Sequence, residues 1–166
     1  MEALIAFSTS DKLYAKILRK LMNSPIHHTF LFVNLDRLNW MALEIDDRGI
    51  RFVPVSKIQG YAKHLKVYEC TSTDLVEGLV FMRNYIGKKY DYLGLISGAF
   101  RLFLRKYFNY VSSNNEHNPN KMFCSEFVAS VIQYSEVEDS DHWIPSNMSP
   151  KDLYDFVRNH KDFKEM

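Results

Sequence analysis

Apolar positions fall in short runs before residue 71 and at helical spacing after it. Ala3–Phe7 is an apolar run that reads as a strand. A helix is predicted from Asp11 to about Met22, with Leu13, Ile17, Leu18 and Leu21 on one face. Ser10 can cap it, and Asn23-Ser24-Pro25 ends it. His28–Val33, rich in aromatic and β-branched residues, reads as a strand. Trp40–Ile45 and Ile50–Val55 form two more, joined by Asp46-Asp47-Arg48-Gly49, and Leu65–Cys70 is a fourth. Thr73 caps a helix from Asp74 to Ile86, stopped by Gly87. Leu93 to about Tyr110 reads as helical. So does Phe123–Tyr134, with Phe123, Phe127, Val131 and Ile132 inward. Ser149-Pro150 opens a last helix through Val157, with proline at the first helical position. Strands thus gather between residues 28 and 70 and helices after 73. That segregation predicts an α+β fold with an antiparallel sheet.

Composition narrows the class. The 166 residues are 46% hydrophobic, with 12 Phe and 10 Tyr, enough to fill one core and to exclude wholesale disorder. We read residues 1–166 as one domain, with surface loops at Ser112–Asn120 and Glu136–Asp141. Twenty-one Lys and Arg against 20 Asp and Glu leave a formal charge of +1, too little basic excess for a general nucleic-acid binder. Two cysteines exclude a disulfide-rich scaffold and a Cys-rich zinc site. No signal-peptide pattern or long apolar span is visible, so the expected address is the cytoplasm. Charge is uneven, however. Between Arg83 and Tyr107 six cations face one anion, Asp91. The stretch from Arg101 to Lys106 is therefore either a solvated helix face or a peripheral contact for lipid headgroups or an acylated substrate.

Cys124 is the strongest chemical candidate. It stands in Lys-Met-Phe-Cys-Ser-Glu-Phe-Val, at a predicted helix start after a polar loop. Free amide N–H groups and the helix dipole favour a thiolate there. Otherwise it is a small core residue. Cys70 closes a strand with no helix behind it and reads as structural. Of six histidines, His27 and His28 open a strand, and neighbours in a strand face opposite sides, so periodicity alone does not choose between them. Glu44 breaks the apolar pattern of Trp-Met-Ala-Leu-Glu-Ile. Adjacent antiparallel strands could set it beside His28 to orient an imidazole. Alternatively it lies on a solvated face with Ala42 and Asp46.

These segments, taken in order, resemble the circularly permuted NlpC-like papain superfamily, which includes the YiiX-type amidases. The opening Ile5-Ala6-Phe7-Ser8-Thr9-Ser10, then Ile17-Leu18-Arg19 and Ser24-Pro25-Ile26-His27-His28, are similar to its N-terminal part. Leu43-Glu44-Ile45, Gly49-Ile50 and Val53-Pro54-Val55 resemble its next segment, and Gly87 with Tyr90-Asp91 its Gly-then-Tyr-Asp element. Phe123-Cys124-Ser125-Glu126-Phe127-Val128 resembles its nucleophile motif, and Ser149-Pro150-Lys151-Asp152-Leu153 its closing segment.

The resemblance implies a papain-like fold, circularly permuted, with helices packed around a central antiparallel sheet of about four to six strands. It implies a thiol amidase or peptidase without cofactor or metal. Cys124 is then the nucleophile, His28 the base, Glu44 the orienting residue and Tyr90 a lining residue. His28 is preferred because the family's histidine stands directly before its apolar strand, although His27 occupies a place where the family usually has Ser or Thr. Peptide, N-acyl and lipid-amide substrates all fit. A catalytically idle binding module, and acyl transfer to lipid as in lecithin:retinol acyltransferase relatives, are the alternatives.

Overall fold

A computed structural model describes residues 1–34, 39–46, 48–91 and 121–166. The predicted helix at 93–110, the Asn-rich loop and the basic stretch Arg101–Lys106 fall outside those residues. Six strands form one antiparallel sheet in the order β4-β3-β2-β1-β5-β8: β1 (Glu2–Thr9), β2 (His28–Asn34), β3 (Trp40–Asp46), β4 (Gly49–Pro54), β5 (Lys63–Cys70) and β8 (Phe163–Glu165). The expected antiparallel α+β arrangement is present.

The central strands carry apolar side chains on both faces because both faces are covered. Ala3, Ile5 and Phe7 of β1, with Leu31 and Val33 of β2, meet a core built with helix α4 (Cys124–Tyr134). Leu4, Ala6, Phe30 and Phe32 point the other way, toward Val53 and Ile58. Ile58 belongs to α2 (Val55–Gln59), a short helix with no clear signal in the sequence. Helix α4 is buried from Cys124 to Ile132, which explains why it is apolar nearly all round. Helix α3 (Leu75–Phe81) crosses it so closely that Gly78 N–H donates to Ser135 Oγ at 3.1 Å.

Three expectations are corrected. Helix α1 (Leu13–Met22) buries Ala15, Leu18 and Met22, whereas Leu13 and Ile17 are exposed. The small Ala15 faces inward and the larger pair faces out. Its cap is Lys12, with no side-chain cap bond, rather than Ser10. Helix α3 is likewise capped by Asp74, whose carboxylate accepts from Val76 N–H, rather than by Thr73. At the C-terminus β8 joins the edge of β5. There Phe156, from α5 (Pro150–Asn159), stacks on His160 at 4.6 Å.

A second, two-stranded sheet is what delivers the site. Gly49 has φ of +93°, and a Cβ there would lie 2.4 Å from Lys88 O. This close approach lets Lys88 O accept from Ile50 N–H and Gly87 N–H donate to Ile50 O. The segment at 87–88 is thereby tied to the main sheet. It continues as β6 (Lys89–Tyr90), which pairs in parallel with β7 (Lys121–Met122), setting Tyr90 opposite Met122. Two residues later comes Cys124.

Candidate active site

Cys124 occupies the first turn of α4 and is 1% exposed. The Phe123 N–H at the helix start donates to Glu126 Oε2 at 3.4 Å, and Ser125 Oγ donates to Met148 O at 2.7 Å. These contacts hold the first turn in place. The sulfur lies against β2, within reach of the Thr29 backbone N–H, the Tyr90 hydroxyl and the N–H groups of Ser125 and Cys124 itself. Burial nevertheless pushes the thiol above its ordinary pKa, because desolvation outweighs the four donors. The helix start expected to favour a thiolate therefore holds a protonated thiol at rest. Tyr90 is brought to the sulfur.

Strand parity places one of the two histidines. Thr29 pairs with Phe7 and Phe30 with Ala6, so Thr29 shares the face of the Cys124 core and Phe30 the opposite face. His28 pairs with Ser8 and packs its ring on Phe30 at 5.6 Å. His28 is thus on the far side of the sheet from Cys124. His27 lies just before β2, where its backbone N–H donates to Ser8 O at 3.3 Å. Its ring lies 6.0 Å from Tyr14 of α1 and 6.2 Å from the His28 ring. Leu18 and Met22 of α1 pack on Phe123, the residue before Cys124.

Glu44 does sit on the His28 face, as the strand pairing anticipated, since Leu43 pairs with Leu31 and Ala42 with Phe32. It is 4% exposed, accepts from Arg51 Nη2 at 2.8 Å, and accepts from the Tyr61 hydroxyl. Arg51 also bonds Asp46 at 2.6 Å. Glu44 is therefore neither solvated nor beside the thiol. It ties β3 to β4 and to the turn after α2. Desolvation raises and Arg51 lowers the Asp46 carboxyl, and the net result is a pKa of about 2. The trio expected from the resemblance is split by the sheet, with His28 and Glu44 on one side and Cys124 on the other. The physical reason is the two-residue period of a strand: His28 and Glu44 share the face of Phe30, opposite to that of Thr29.

Cys70, half-buried on β5, is near Ser72 Oγ at 3.7 Å and adjoins none of these groups. A shallow groove of about 370 Å³ over Trp143, Phe156 and His160 also lies apart from Cys124.

One buried acid, Glu126, escaped the sequence reading, and burial sets its protonation together with that of the two histidines. Burial lowers the His27 pKa to about 3, assisted by His28, Arg19 and Lys12, so the ring is neutral near pH 7. Burial likewise lowers His28 to about 4, although Asp46 pulls it upward. Glu126, 2% exposed, is raised to about 7 by burial and by Asp91 nearby, against the opposing effects of Phe123 N–H and Lys88. The signal for it was an acidic residue three positions after a helix start.

These shifts predict a pH profile of stability. Between pH 4.5 and 6.5 the unfolded chain protonates both histidines while the folded chain keeps them neutral, so acid destabilises. Over the same window folded Glu126 holds a proton that the unfolded chain releases, which opposes the trend. Near pH 5.5 the net is close to one proton, or roughly 1 kcal/mol lost per pH unit on acidification. Urea unfolding at three pH values measures this slope. Glu126→Gln is expected to about double it, and an unchanged slope in that variant contradicts the assignment.

No protein-family model matches the chain, and no curated protein matches it. Among solved structures it is similar to the crystal structure of metalloprotein YiiX from Escherichia coli O157:H7, with a TM-score of 0.67. That likeness covers 100% of this chain and 96% of the other at 14% sequence identity. The chain has a YiiX-like fold. At that identity the likeness establishes architecture alone. Among the described residues no three His, Cys, Asp or Glu side chains group as metal ligands, and no helix is long and apolar enough to cross a membrane.

Proposed function

We propose that this YiiX-like chain is a permuted papain-like thiol hydrolase that cleaves an amide or related acyl bond, with Cys124 as nucleophile and His27 as base. The observation that carries the reading is the placement of Cys124 in the first turn of α4, against β2, with the Thr29 N–H, the Tyr90 hydroxyl and the helix-start N–H groups around its sulfur. Sulfur and imidazole both rest neutral, which suits proton transfer at the moment of attack rather than a standing ion pair. In this mechanism the imidazole takes the thiol proton as sulfur bonds to the acyl carbon. Backbone N–H groups in the first turn of α4 stabilise the oxyanion. The intermediate expels the amine, which takes its proton from the imidazolium. Water, deprotonated by His27, then attacks the thioester and releases the acid and the thiol. Tyr90 orients the sulfur, and no cofactor is required.

The burial of the sulfur favours the second reading, a catalytically idle module that uses the same crevice for binding. A small activated ester, p-nitrophenyl acetate, separates the two. Hydrolase chemistry is expected to place one acetyl group on Cys124, seen by peptide mass spectrometry and absent in Cys124→Ala. Acetylation confined to surface amines, with none on Cys124, favours the idle module.

A further inference from the structure

Buried polar atoms without a hydrogen-bond partner are rare because each costs about 1–3 kcal/mol. Five occur among the described residues: Thr9 Oγ1, Ser10 Oγ, Arg19 Nε, His27 Nδ1 and Asn34 Oδ1. Asn34 is at the distant end of β2. The other four gather at one corner. His27 N–H donates to Ser8 O at 3.3 Å, which sets His27 beside the Ser8-Thr9 end of β1. Ser10 follows Thr9 and leads into α1. Arg19 lies one and a half turns along that helix, close enough for its charge to act on both Asp11 and His27. Thr9 is 3% exposed, and Ser10 and His27 are each 6% exposed.

The character of this corner is cationic and donor-rich. Arg19 Nε can only donate, and both hydroxyls can donate. The start of α1 has no side-chain cap, so its first N–H groups add partial positive charge. Lys12 is close enough to act on His27. Asp11, the carboxylate next to Ser10, is exposed and paired with Lys63. Such a donor set matches an anion with several acceptor oxygens.

We propose that this corner, formed by Thr9, Ser10, Arg19 and His27 at the start of α1, is a binding site for an oxyanion: a carboxylate or phosphate group of the ligand. It rests on the proposed function only in placing that group beside a thiol hydrolase centre, and it marks the substrate as an anionic acyl compound. The binding itself is independent of Cys124. An anion here also offsets Arg19 and Lys12, so its arrival raises the proton affinity of His27 just as a base is needed.

Histidine-ring NMR on the full chain tests the site, with inorganic phosphate as one probe and acetate as the other. His27 resonances, assigned by His27→Asn, are expected to shift saturably with at least one probe, and the ring is expected to titrate at higher pH when the anion is bound. Response to both probes marks a general oxyanion site, and response to one alone identifies the phosphate or carboxylate class. Loss of a charge-assisted hydrogen bond in Arg19→Met is expected to weaken binding about tenfold or more. Thr9→Val, which nearly conserves shape, is expected to weaken it by a smaller factor and serves if Arg19→Met does not fold. Binding is expected to persist in Cys124→Ala. A His27 ring unresponsive to both probes overturns the site, as does undiminished binding in both variants. Phosphate or acetate binding without acetylation of Cys124 leaves this site standing and removes the hydrolase reading, and the converse pattern does the reverse.

Discussion

Replacing His27 by asparagine is expected to slow acetylation of Cys124 by p-nitrophenyl acetate about 10²–10⁴-fold, the range for losing a general base. Replacing His28 by asparagine is expected to change it by no more than a few fold. The contrast follows from placement. His28 pairs with Ser8 and packs on Phe30, so its ring faces the α2 side of the sheet. His27, just before β2, lies against α1, which packs on Phe123 beside Cys124. The pH dependence sharpens the test. A protonated thiol and a neutral imidazole give a rate that persists toward neutrality in the wild type. In His27→Asn, reaction requires prior ionisation of a thiol whose pKa burial has raised, so the residual rate should climb only on the alkaline side. Equal losses in the two variants would remove His27 from the mechanism. Unfolding in urea, followed for each, separates a chemical loss from a structural one.

Gly78→Ala is expected to cost about 3 kcal/mol or more of stability, the upper end of overpacking penalties. An alanine Cβ there would lie 2.0 Å from Val131 O and 2.5 Å from Ser135 Oγ. The first of these is backbone in the middle of α4 and has no rotamer to change. Ser135 Oγ also accepts the Gly78 N–H, so moving it away breaks that bond. Relief requires α3 to back away from α4, which opens the core shared by Leu75, Leu79 and Val131. Gly60→Ala provides the control. Gly60 is in the right-handed helical region and its nearest foreign atom is at 3.4 Å, so that change is expected to be near neutral. Urea midpoints of the two variants measure the difference directly, and similar values would contradict the close packing of α3 on α4. Because α4 carries Cys124, Gly78→Ala should also slow acetylation.

The strand ladder was largely legible before any coordinates. Ala3–Phe7, His28–Val33, Trp40–Ile45 and Leu65–Cys70 all lie inside observed strands, and Ile50–Val55 overlaps β4 apart from its last residue. Each carries a concentrated β-branched, aromatic or aliphatic run that a sheet with two covered faces can bury. The helix start at Ser149 was equally readable, whereas the caps expected at Ser10 and Thr73 fall at Lys12 and Asp74. Ser149 and Asp152 bond one another reciprocally around the proline that opens α5. Elements held by distant partners were not. The three-residue β8 exists because β5 offers a free edge, and α2 exists because Ile58 closes the second core. Helix α1 misled through amphipathicity: its most apolar stripe includes Leu13 and Ile17, yet Ala15, Leu18 and Met22 face inward.

Sequence alone determined that Cys124 would open a helix and that one of two adjacent histidines would begin the second strand, because caps and strand runs are local patterns. Only the tertiary structure decided that His28 faces away from the sulfur. Facing depends on register with β1, and a shift of one residue reverses it. The protonation of the thiol was likewise decided in three dimensions. A helix terminus is visible in the sequence, but the desolvation that overrides it comes from burial against β2 and β6.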